Sequence, residues 1–384
     1  MSFRKAVFWT HLAAGVVSAL VVVMMSVTGV ILTYERQIKD WADRTHYDIA
    51  TDSGTRLTVD ELLTAARRQD PDLQVSTIAM HARMDAPPLA TQGRRGRTYL
   101  HPYTGEPLGP GNTEVRGFFS TMMGWHRRFD LTGDPRATGR AITGAGNLLF
   151  LYLLLTGFYL WLPPLYRWSV LRTRVFFNPK VSTWKAREYN WHHVFGFWSL
   201  IPLILIVLSA TTISYRWATD AVYALAGEER PVSTRLASES ALSAGTETLS
   251  LHDIFEIAAA ETESWRRIDV HLPDILAPTI VTTIDWGSGG EPTKKNTLTI
   301  DRSSGAILQS ESFADRTPAR KVLGYFRWVH TGEAHGLIGQ TIAGVVSALA
   351  VLMAWTGVTL AYRRLIQPII RRRRLEQTAR PTES

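Results

Sequence analysis

Two histidines stand at matching positions in this sequence, each four residues before a glycine and each at the start of a long apolar run. The two motifs are His11-x-x-x-Gly15 and His192-x-x-x-Gly196. An ionisable side chain in an apolar membrane segment is costly, faces the interior of a helix bundle and marks a functional site. The repeated spacing therefore predicts that His11 and His192 hold a bound cofactor.

Four apolar runs divide the chain of 384 residues, at about residues 6–34, 142–162, 194–215 and 338–362. Each approaches or exceeds the roughly 20 residues needed to cross the hydrocarbon core of a bilayer. We predict four transmembrane helices. The first run follows Arg4 and Lys5 as a signal peptide would, but its apolar part exceeds the about 7 to 15 residues of such a segment. We expect it to remain as the first span.

The net charge of +8 is concentrated in short segments beside these spans. Residues 163–189 hold six Lys or Arg against one Glu, and the C-terminal segment contains the run Arg371 to Arg374. Short basic loops mark the cytoplasmic side of a membrane. We expect both termini inside the cell and the long segments 35–137 and 216–337 outside, and we expect no nucleic-acid partner.

An internal repeat relates the two halves of the chain at an offset of 200 residues. A predicted hairpin turn at Thr104-Gly105 corresponds to Ser304-Gly305, and Thr156-Gly157 in the second span corresponds to Thr356-Gly357 in the fourth. In the first outer segment, Thr58 and Glu61 have the spacing of a helix capping box, and residues 249–255 match this helix start in the second. Strands are predicted at 75–79, 98–101, 268–272, 279–285 and 296–301.

The predicted fold is an α-helical membrane protein in which four transmembrane helices form a pseudo-two-fold duplicated bundle, with two α+β outer modules. The predicted boundaries are transmembrane helix 1 (1–34), outer module 1 (35–137), transmembrane helix 2 (138–163), a basic cytoplasmic loop (164–190), transmembrane helix 3 (191–215), outer module 2 (216–337), transmembrane helix 4 (338–362) and a basic cytoplasmic tail (363–384).

Alternating steps of four and three residues from each inner histidine follow one face of a helix. The face passes from His11 through Gly15, Ser18, Val22, Met25 and Gly29, and from His192 through Gly196, Ser199, Leu203, Ile206 and Ala210. Small residues alone are explained by close helix packing in membranes, which leaves the histidines unexplained. A flat macrocycle between helices requires both features, a ring nitrogen for its iron and small side chains that admit the ring.

Topology sorts the histidines into two levels. His11, His192 and His193 fall at the cytoplasmic ends of spans, whereas His126 and His330 precede the second and fourth spans on the outer side. Each level offers one histidine from each half, which predicts about two bis-histidine b haems per chain, one in each leaflet.

Two alternatives remain open among these ligands. His192 is preferred to His193 because it keeps the His-x-x-x-Gly register. His126 and His330 match only if the repeat slips by four residues, which leaves His335 as a competitor of His330. The remaining histidines are assigned no metal role; they are His46, His81, His101, His252 and His271.

Two absences narrow the chemistry. The chain has no cysteine, which excludes disulfides, thiolate-ligated iron–sulfur clusters and covalently attached haem. It has no G-x-G-x-x-G or P-loop motif, so we expect the electron donor to be a cytosolic flavoprotein or a quinol rather than a nicotinamide bound by this chain.

The sequence resembles the PepSY-associated transmembrane family over nearly its whole length. The shared features are the two His-x-x-x-Gly motifs, His330-Thr331-Gly332 before the last span, the hairpin Pro102 to Gly105, and Thr-Gly dipeptides near span ends at Thr28, Thr156 and Thr356. The third span departs from this pattern with Ser209-Ala210 in place of Thr-Gly.

Members with this layout are similar to ferric-siderophore reductases of the bacterial inner membrane. The resemblance implies that the outer segments are periplasmic PepSY-like modules and that electrons pass through b haems to a ferric siderophore in the periplasm. Reduction to the softer ferrous ion weakens an oxygen-donor chelate. Two other functions remain open, an inner-membrane transporter of siderophore or haem, and a periplasmic sensor or protease-regulating protein. The spans do not favour the transporter, because they contain few charges and one mid-span proline, Pro202. The sensor would leave the four placed histidines without a role.

Overall fold

The computed structural model describes residues 2–47, 49, 54–93, 96–163, 166–231, 247–272 and 277–378. Residues 376–378 are described by their backbone only. The chain divides into two compact units. Met1–Thr33, Phe119–Thr219 and Val329–Ser384 form what we call the helical unit. Tyr34–Phe118 and Asp220–Trp328 form the sheet unit.

Along the described chain, four strands lie between α3 and α4 and four more lie between α9 and α10. In chain order, the helices and strands are α1 (Phe3–Leu32), α2 (Glu35–His46), α3 (Val59–Gln69), β1 (Thr77–His81), β2 (Leu89–Gln92), β3 (Gly96–Leu100), β4 (Pro107–Gly109), α4 (Thr113–Arg128), α5 (Pro135–Trp161), α6 (Trp168–Val175), α7 (Trp184–Ser214), α8 (Arg216–Leu225), α9 (Leu251–Ala260), β5 (Arg267–His271), β6 (Thr279–Asp285), β7 (Lys295–Asp301), β8 (Ile307–Ser312), α10 (Pro318–Thr331), α11 (Gly336–Leu365) and α12 (Gln367–Thr378), with short 3₁₀ turns at Pro292–Lys294 and Glu333–His335.

Four helices of the described chain are long and apolar enough to cross a membrane, and they overlap the four predicted spans over nearly their whole length. They are α1, α5, α7 and α11. The fourth candidate span, Glu333–Leu375, includes α11, the 3₁₀ turn before it and part of α12 after it. The protein is thus a helical membrane protein, as predicted. Helix α7 begins at Trp184, ahead of the predicted boundary at residue 191, because the Thr183 hydroxyl caps it by accepting the Ala186 N–H at 3.3 Å. Residues 379–384 of the predicted tail lie outside the described residues.

Helices α1 and α7 each pack against both α5 and α11. The predicted helix faces are confirmed where they meet the bundle interior, since Ser18 and Val22 of α1 and Ser199 and Leu203 of α7 are buried. Gly146 of α5 lies against the Val21 side chain so closely that any added Cβ would clash. Small residues therefore set the helix separations, as expected in membrane bundles.

An apolar layer fills the middle of this bundle. Its buried members come from three of the spanning helices and are Leu154, Leu203, Val207, Val346 and Ala350. This layer places buried apolar side chains between the two ends of the bundle.

In the sheet unit, the described strands form one eight-stranded antiparallel sheet in the order β4-β3-β2-β1-β5-β6-β7-β8. The two predicted modules therefore contribute the two halves of a continuous sheet, joined where β1 pairs with β5. Strands β1, β3, β5, β6 and β7 overlap the predicted strands. Strands β2, β4 and β8 were not predicted, because β2 and β4 are very short and β8 lacks a buried face.

Helices α3 and α9 cover one face of the sheet over a core in which Ile78, Ile268 and Leu298 are fully buried. Both helices begin with capping boxes, at Thr58 and Ser250, which confirms the predicted helix starts. The Asp60 carboxylate of α3 accepts the N–H groups of Leu251 at 3.2 Å and His252 at 2.8 Å. A carboxylate at a helix N-terminus is favourable, so this contact joins the two halves.

The opposite face is anchored by a buried carboxylate, Asp43 of α2. It accepts the Tyr99 hydroxyl at 2.8 Å and the Asn112 N–H at 2.8 Å, and it pairs with Arg116 at the start of α4. Burial, followed by the charge of Asp43, raises the pKa of Tyr99 to about 12. The tyrosine therefore stays protonated as the donor, and α2 and the start of α4 are held on the sheet.

The junction of the half-sheets gives a direct test. Leu272 donates its N–H to Ser76 O, and Ala82 donates to Arg266 O. Hydrogen-bonded and non-hydrogen-bonded pairs alternate along β1 and β5, so Thr77 and His271, next to the first of these bonds, form a non-hydrogen-bonded pair. Side chains approach most closely at such pairs, with Cα atoms about 4.5 Å apart. We expect Thr77→Cys/His271→Cys, in a chain without native cysteine, to form a disulfide efficiently on mild oxidation.

The readout is the gel mobility of the full-length protein after proteolysis between the two cysteines, with and without reductant. The matched control is Thr77→Cys/Ser310→Cys, whose second position lies on β8, four strand spacings or about 19 Å away. Equal cross-linking in both variants would contradict the β1–β5 pairing.

Candidate functional site

The two inner histidines each contact a threonine on a neighbouring helix. His11 of α1 places its Nδ1 2.8 Å from Oγ1 of Thr156 on α5. His192 of α7 places its Nδ1 3.0 Å from Oγ1 of Thr356 on α11. The two contacts have the same chemistry and join different helix pairs.

The threonine hydroxyls fix the direction of these hydrogen bonds. Thr156 donates its hydroxyl proton to the Tyr152 carbonyl at 2.6 Å, and Thr356 donates to the Leu352 carbonyl at 2.9 Å. A hydroxyl has a single proton, so each oxygen accepts from the histidine Nδ1–H. The network thus assigns the tautomer in which Nε2 carries the lone pair. Metal-ligating histidines are oriented in the same way, by a hydrogen bond from the ring nitrogen that does not bind the metal.

The glycine that follows each threonine makes room for the imidazole. A Cβ at Gly157 would lie 3.2 Å from His11 Cε1, and a Cβ at Gly357 would lie 3.4 Å from His192 Cε1. The contact at Gly157 would require the His11 ring to shift by a few tenths of an ångström, and the contact at Gly357 is at the limit of ordinary van der Waals contact. Each Thr-Gly dipeptide therefore supplies an acceptor for Nδ1 and the space beside Cε1.

The outer histidine His126, on α4, has the same surroundings. Its Nδ1 lies 2.9 Å from Thr28 Oγ1 of α1, and Thr28 donates its own proton to the Met24 carbonyl at 2.7 Å. A Cβ at Gly29 would lie 3.7 Å from His126 Cε1. The third Thr-Gly dipeptide thus serves an outer histidine, whereas the other two serve inner ones.

His330, on α10, contacts the part of α7 in which Ser209-Ala210 replaces Thr-Gly. Its Nδ1 donates to the Ile206 carbonyl at 3.1 Å, with Ser209 Oγ at 3.4 Å. Ser209 itself donates to the same carbonyl at 2.7 Å. A backbone carbonyl therefore replaces the hydroxyl as acceptor and leaves Nε2 of His330 with its lone pair.

The outer histidines face each other. The ring centroids of His126 and His330 are 6.1 Å apart and their planes are inclined by 55°. A metal–nitrogen bond of about 2 Å and an imidazole radius of about 1.1 Å place the centroids of two opposed ligands about 6 Å apart. With this spacing, the two imidazoles could ligate one iron between them.

The inner histidines line one cavity of about 870 Å³, within the range of roughly 300 to 1,000 Å³ typical of ligand pockets. All four motif glycines lie in its wall; they are Gly15, Gly157, Gly196 and Gly357. Aromatic side chains add flat surfaces; they are Phe8, Trp9, Phe158, Trp161 and Phe197. The size, the flat apolar walls and two imidazole nitrogens with free lone pairs fit a haem.

The competing histidines are placed differently. His193 also lines the cavity, but its Nδ1 donates to the Tyr189 carbonyl of its own helix at 2.8 Å. His335 is exposed in the 3₁₀ turn Glu333–His335, and the ring beside His126 belongs to His330. The structure thus brings His126 to His330, and gathers His11, His192 and His193 on one cavity.

The other histidines belong to the sheet unit; they are His46, His81, His101, His252 and His271. Burial, followed by the charge of Arg267, lowers the pKa of His81 to about 4, so this residue is neutral at physiological pH. In the described ranges, no cluster of three or more His, Asp or Glu side chains could hold a metal ion. The paired histidines of the helical unit remain the candidate ligands.

The two levels are separated by a fixed length of helix. Seventeen residues separate His11 from Thr28 in α1, and seventeen separate His192 from Ser209 in α7. At a rise of 1.5 Å per residue, the inner ligands and the outer acceptors lie roughly 25 Å apart along the helix axes. This distance approaches the roughly 30 Å thickness of a hydrocarbon core.

Sequence reasoning missed the role of Thr28, Thr156, Thr356 and Ser209 as histidine partners. The signal was present, since Thr-Gly recurs in the spans and the interval of seventeen residues recurs in α1 and α7. Its meaning depended on knowing which helices are neighbours.

Comparison with known proteins places these observations in a family. The family model of the PepSY-associated TM region matches residues 8–364, a range that contains both histidine pairs and the residues that contact them. No curated protein matches the chain. The chain belongs to the PepSY-associated TM family.

Proposed function

We propose that this protein is a di-haem b-type electron-transfer protein of the bacterial inner membrane that reduces ferric siderophore in the periplasm and releases ferrous iron. The observation that carries the proposal is the pairing of the histidines. At both levels, each histidine has its Nδ1 hydrogen-bonded to a neighbouring helix and its Nε2 lone pair free.

The chain's own residues would have distinct tasks in holding the cofactor. His11 and His192 would ligate iron at the inner level, and His126 and His330 at the outer level. Bound there, haem b would supply a reversible one-electron carrier at each level. The hydroxyl and carbonyl acceptors hold the imidazoles in the ligating tautomer, and Gly157 and Gly357 leave space beside the inner rings.

The apolar layer between the levels favours electron transfer over transport. Leu203, Val207 and Ala350 are almost completely buried within it. A solute carrier needs a polar or water-filled route and discontinuous helices near the membrane midplane. Buried apolar side chains between the levels are unfavourable for water and ions, whereas an electron needs no open route between two cofactors.

The proposal includes a tandem duplication with cytoplasmic termini and a periplasmic sheet unit. Equivalent contacts in the two halves support the duplication, namely His11 with Thr156 and His192 with Thr356. The turns at Gly105 and Gly305 support it too, since they join equivalent strand pairs in the two half-sheets. The basic residues beside the spans support the orientation.

The substrate and donor follow from the resemblance to ferric-siderophore reductases and from this orientation. Ferric siderophores bind hard iron through oxygen donors, and reduction weakens that binding. The outer histidine pair would face the side on which such chelates arrive. A cytosolic flavoprotein or a quinol would reduce the protein from the inner side, next to His11 and His192.

Haem content of the detergent-purified protein tests the proposal first. We expect low-spin b-type absorption bands with about two haems per chain, one for each bis-histidine pair. His11→Ala and His192→Ala should each leave about one haem, because each removes one inner ligand. The matched control His193→Ala should retain about two.

A protein that remains colourless after expression with ample haem would rule out the electron-transfer function. An unchanged haem content in His192→Ala together with a loss in His193→Ala would instead reassign the inner ligand.

The outer pair is tested by reduction of a ferric hydroxamate chelate, with ferrous iron trapped by a chromogenic chelator. His330→Ala should lose the outer haem and most of the reductase activity while the inner haem remains reducible by dithionite. His335→Ala is the matched control and should behave as the wild type. Full activity of His330→Ala, or loss of activity in His335→Ala, would contradict the assignment.

The threonine partners are tested by removing a hydroxyl without changing side-chain shape. Thr156→Val should weaken haem binding at the inner level by about 10-fold to 100-fold, as expected for loss of an outer-shell partner. The midpoint potential should rise, because a less basic imidazole stabilises ferric iron less. Thr156→Ser, which keeps the hydroxyl, should stay close to the wild type in a redox titration, and equal effects of both substitutions would exclude the hydrogen bond as the cause.

A further inference from the structure

The mouth of the inner cavity is strongly basic. Six cationic side chains line it, from the ends of the spanning helices and the loop between α5 and α7; they are Arg4, Lys5, Arg174, Lys185, Arg363 and Arg364. None of the residues that line the cavity, all of them in the described chain, is acidic.

Three of these cations have structural tasks. Arg4 donates to the Leu160 and Leu162 carbonyls at 2.7 and 2.9 Å, where it caps the end of α5. Arg174 donates to the Trp161 carbonyl nearby. Arg363 pairs with the buried Glu188 at 3.1 Å and is thereby neutralised.

The other three, Lys5, Lys185 and Arg364, are exposed, and none of them pairs with an acidic side chain among the residues that the structure describes. Arg364 lies over the rings of Phe8 and Trp9, at 4.7 and 5.5 Å from their centroids. Within the described chain, Lys5 and Lys185 form no ion pair or side-chain hydrogen bond. The rim therefore carries positive charge that no described acidic side chain neutralises.

Membrane orientation alone explains positive charge at this end of the bundle, but it does not explain why the charge lines a cavity. Lys185 precedes His192 by seven residues, an interval that puts the two side chains on the same face of α7. The cavity thus combines metal-ligating nitrogens within and cations at its opening. A ligand that matches it has a metal at its centre, an apolar body and an anionic edge.

We propose that Lys5, Lys185 and Arg364 bind the two carboxylates of the haem at the inner level, so that the carboxylate edge faces the cavity mouth. This inference rests on the proposed function. It gives the three cations a task that the proposed electron transfer does not by itself assign, namely selecting the orientation in which the cofactor enters and stays. Bonds between ammonium or guanidinium groups and carboxylates are among the stronger hydrogen bonds in proteins.

The test compares haem b with its dimethyl ester, which keeps the iron and the ring but has no carboxylate charge. Apo-protein with His330→Ala serves as the background, so that binding reports the inner level. We expect Lys5→Met/Lys185→Met to weaken haem binding by about 10-fold to 100-fold, the effect of one or two charge-assisted contacts. Its affinity for the dimethyl ester, followed by the same absorption titration, should equal that of the background protein.

The matched control is Lys180→Met. Lys180 belongs to the same basic segment as Lys185 but does not line the cavity. It should leave both affinities unchanged. Retained binding of the dimethyl ester also shows that the double variant is folded.

Three results would overturn the inference. They are equal affinity of the background protein for haem and the dimethyl ester, wild-type haem affinity in the double variant, and an equal loss of both ligands in that variant. The first two would leave the proposed function standing. A background protein that binds neither ligand would overturn the proposed function as well.

Discussion

A histidine inside a membrane bundle must satisfy one ring nitrogen before it can offer the other to a metal, and this requirement shapes the helical unit. A buried polar group without a partner is costly, and hydrocarbon supplies none. In this protein the partner is a hydroxyl whose own proton is already donated to a carbonyl of its helix, as in the contact of His11 with Thr156. The hydroxyl is thereby left as an acceptor, and the tautomer of the histidine follows.

The same requirement fixes helix separations and rotations. A hydrogen bond of 2.8 to 3.0 Å between α1 and α5, and between α7 and α11, holds only if the helices approach closely and present the right faces. Gly157 and Gly357 permit that approach beside the imidazoles. Because α1 and α7 also carry the outer acceptors, Thr28 and Ser209, a rotation of either helix would disturb both levels at once.

The sequence predicted the parts of the fold that depend on local pattern. Apolar length identified the spans, and helical periodicity identified buried positions such as Ser18 and Leu203, because both follow from residues close together in the chain. The amphipathic helices α4 and α10, which carry the outer histidines, were not predicted, since their apolar stripes are short. The pairing of β1 with β5 joins residues nearly 200 positions apart, and no local pattern reports such a contact.

The candidate site shows the same limit. The register of His-x-x-x-Gly favours His192 over His193 within one helix, and this preference stays a prediction because both residues line the cavity. The proximity of His330, rather than His335, to His126 depends on the packing of another element and could not be read from the sequence. The role of Thr156 depended on its proximity to a histidine 145 residues away. Residue type and spacing therefore indicated which side chains do chemistry, and the packing of distant helices supplied their partners.

The departure from Thr-Gly at Ser209-Ala210 makes the two levels chemically different. Both inner histidines donate to threonine hydroxyls, whereas the outer pair combines a hydroxyl acceptor at Thr28 with a carbonyl acceptor at Ile206. That carbonyl also accepts from Ser209, so its electron density is shared between two donors. The partner of a ligating histidine tunes the basicity of the ligand and hence the potential of the metal. If haem binds as proposed, the two changed residues of this motif would therefore give the two levels different potentials.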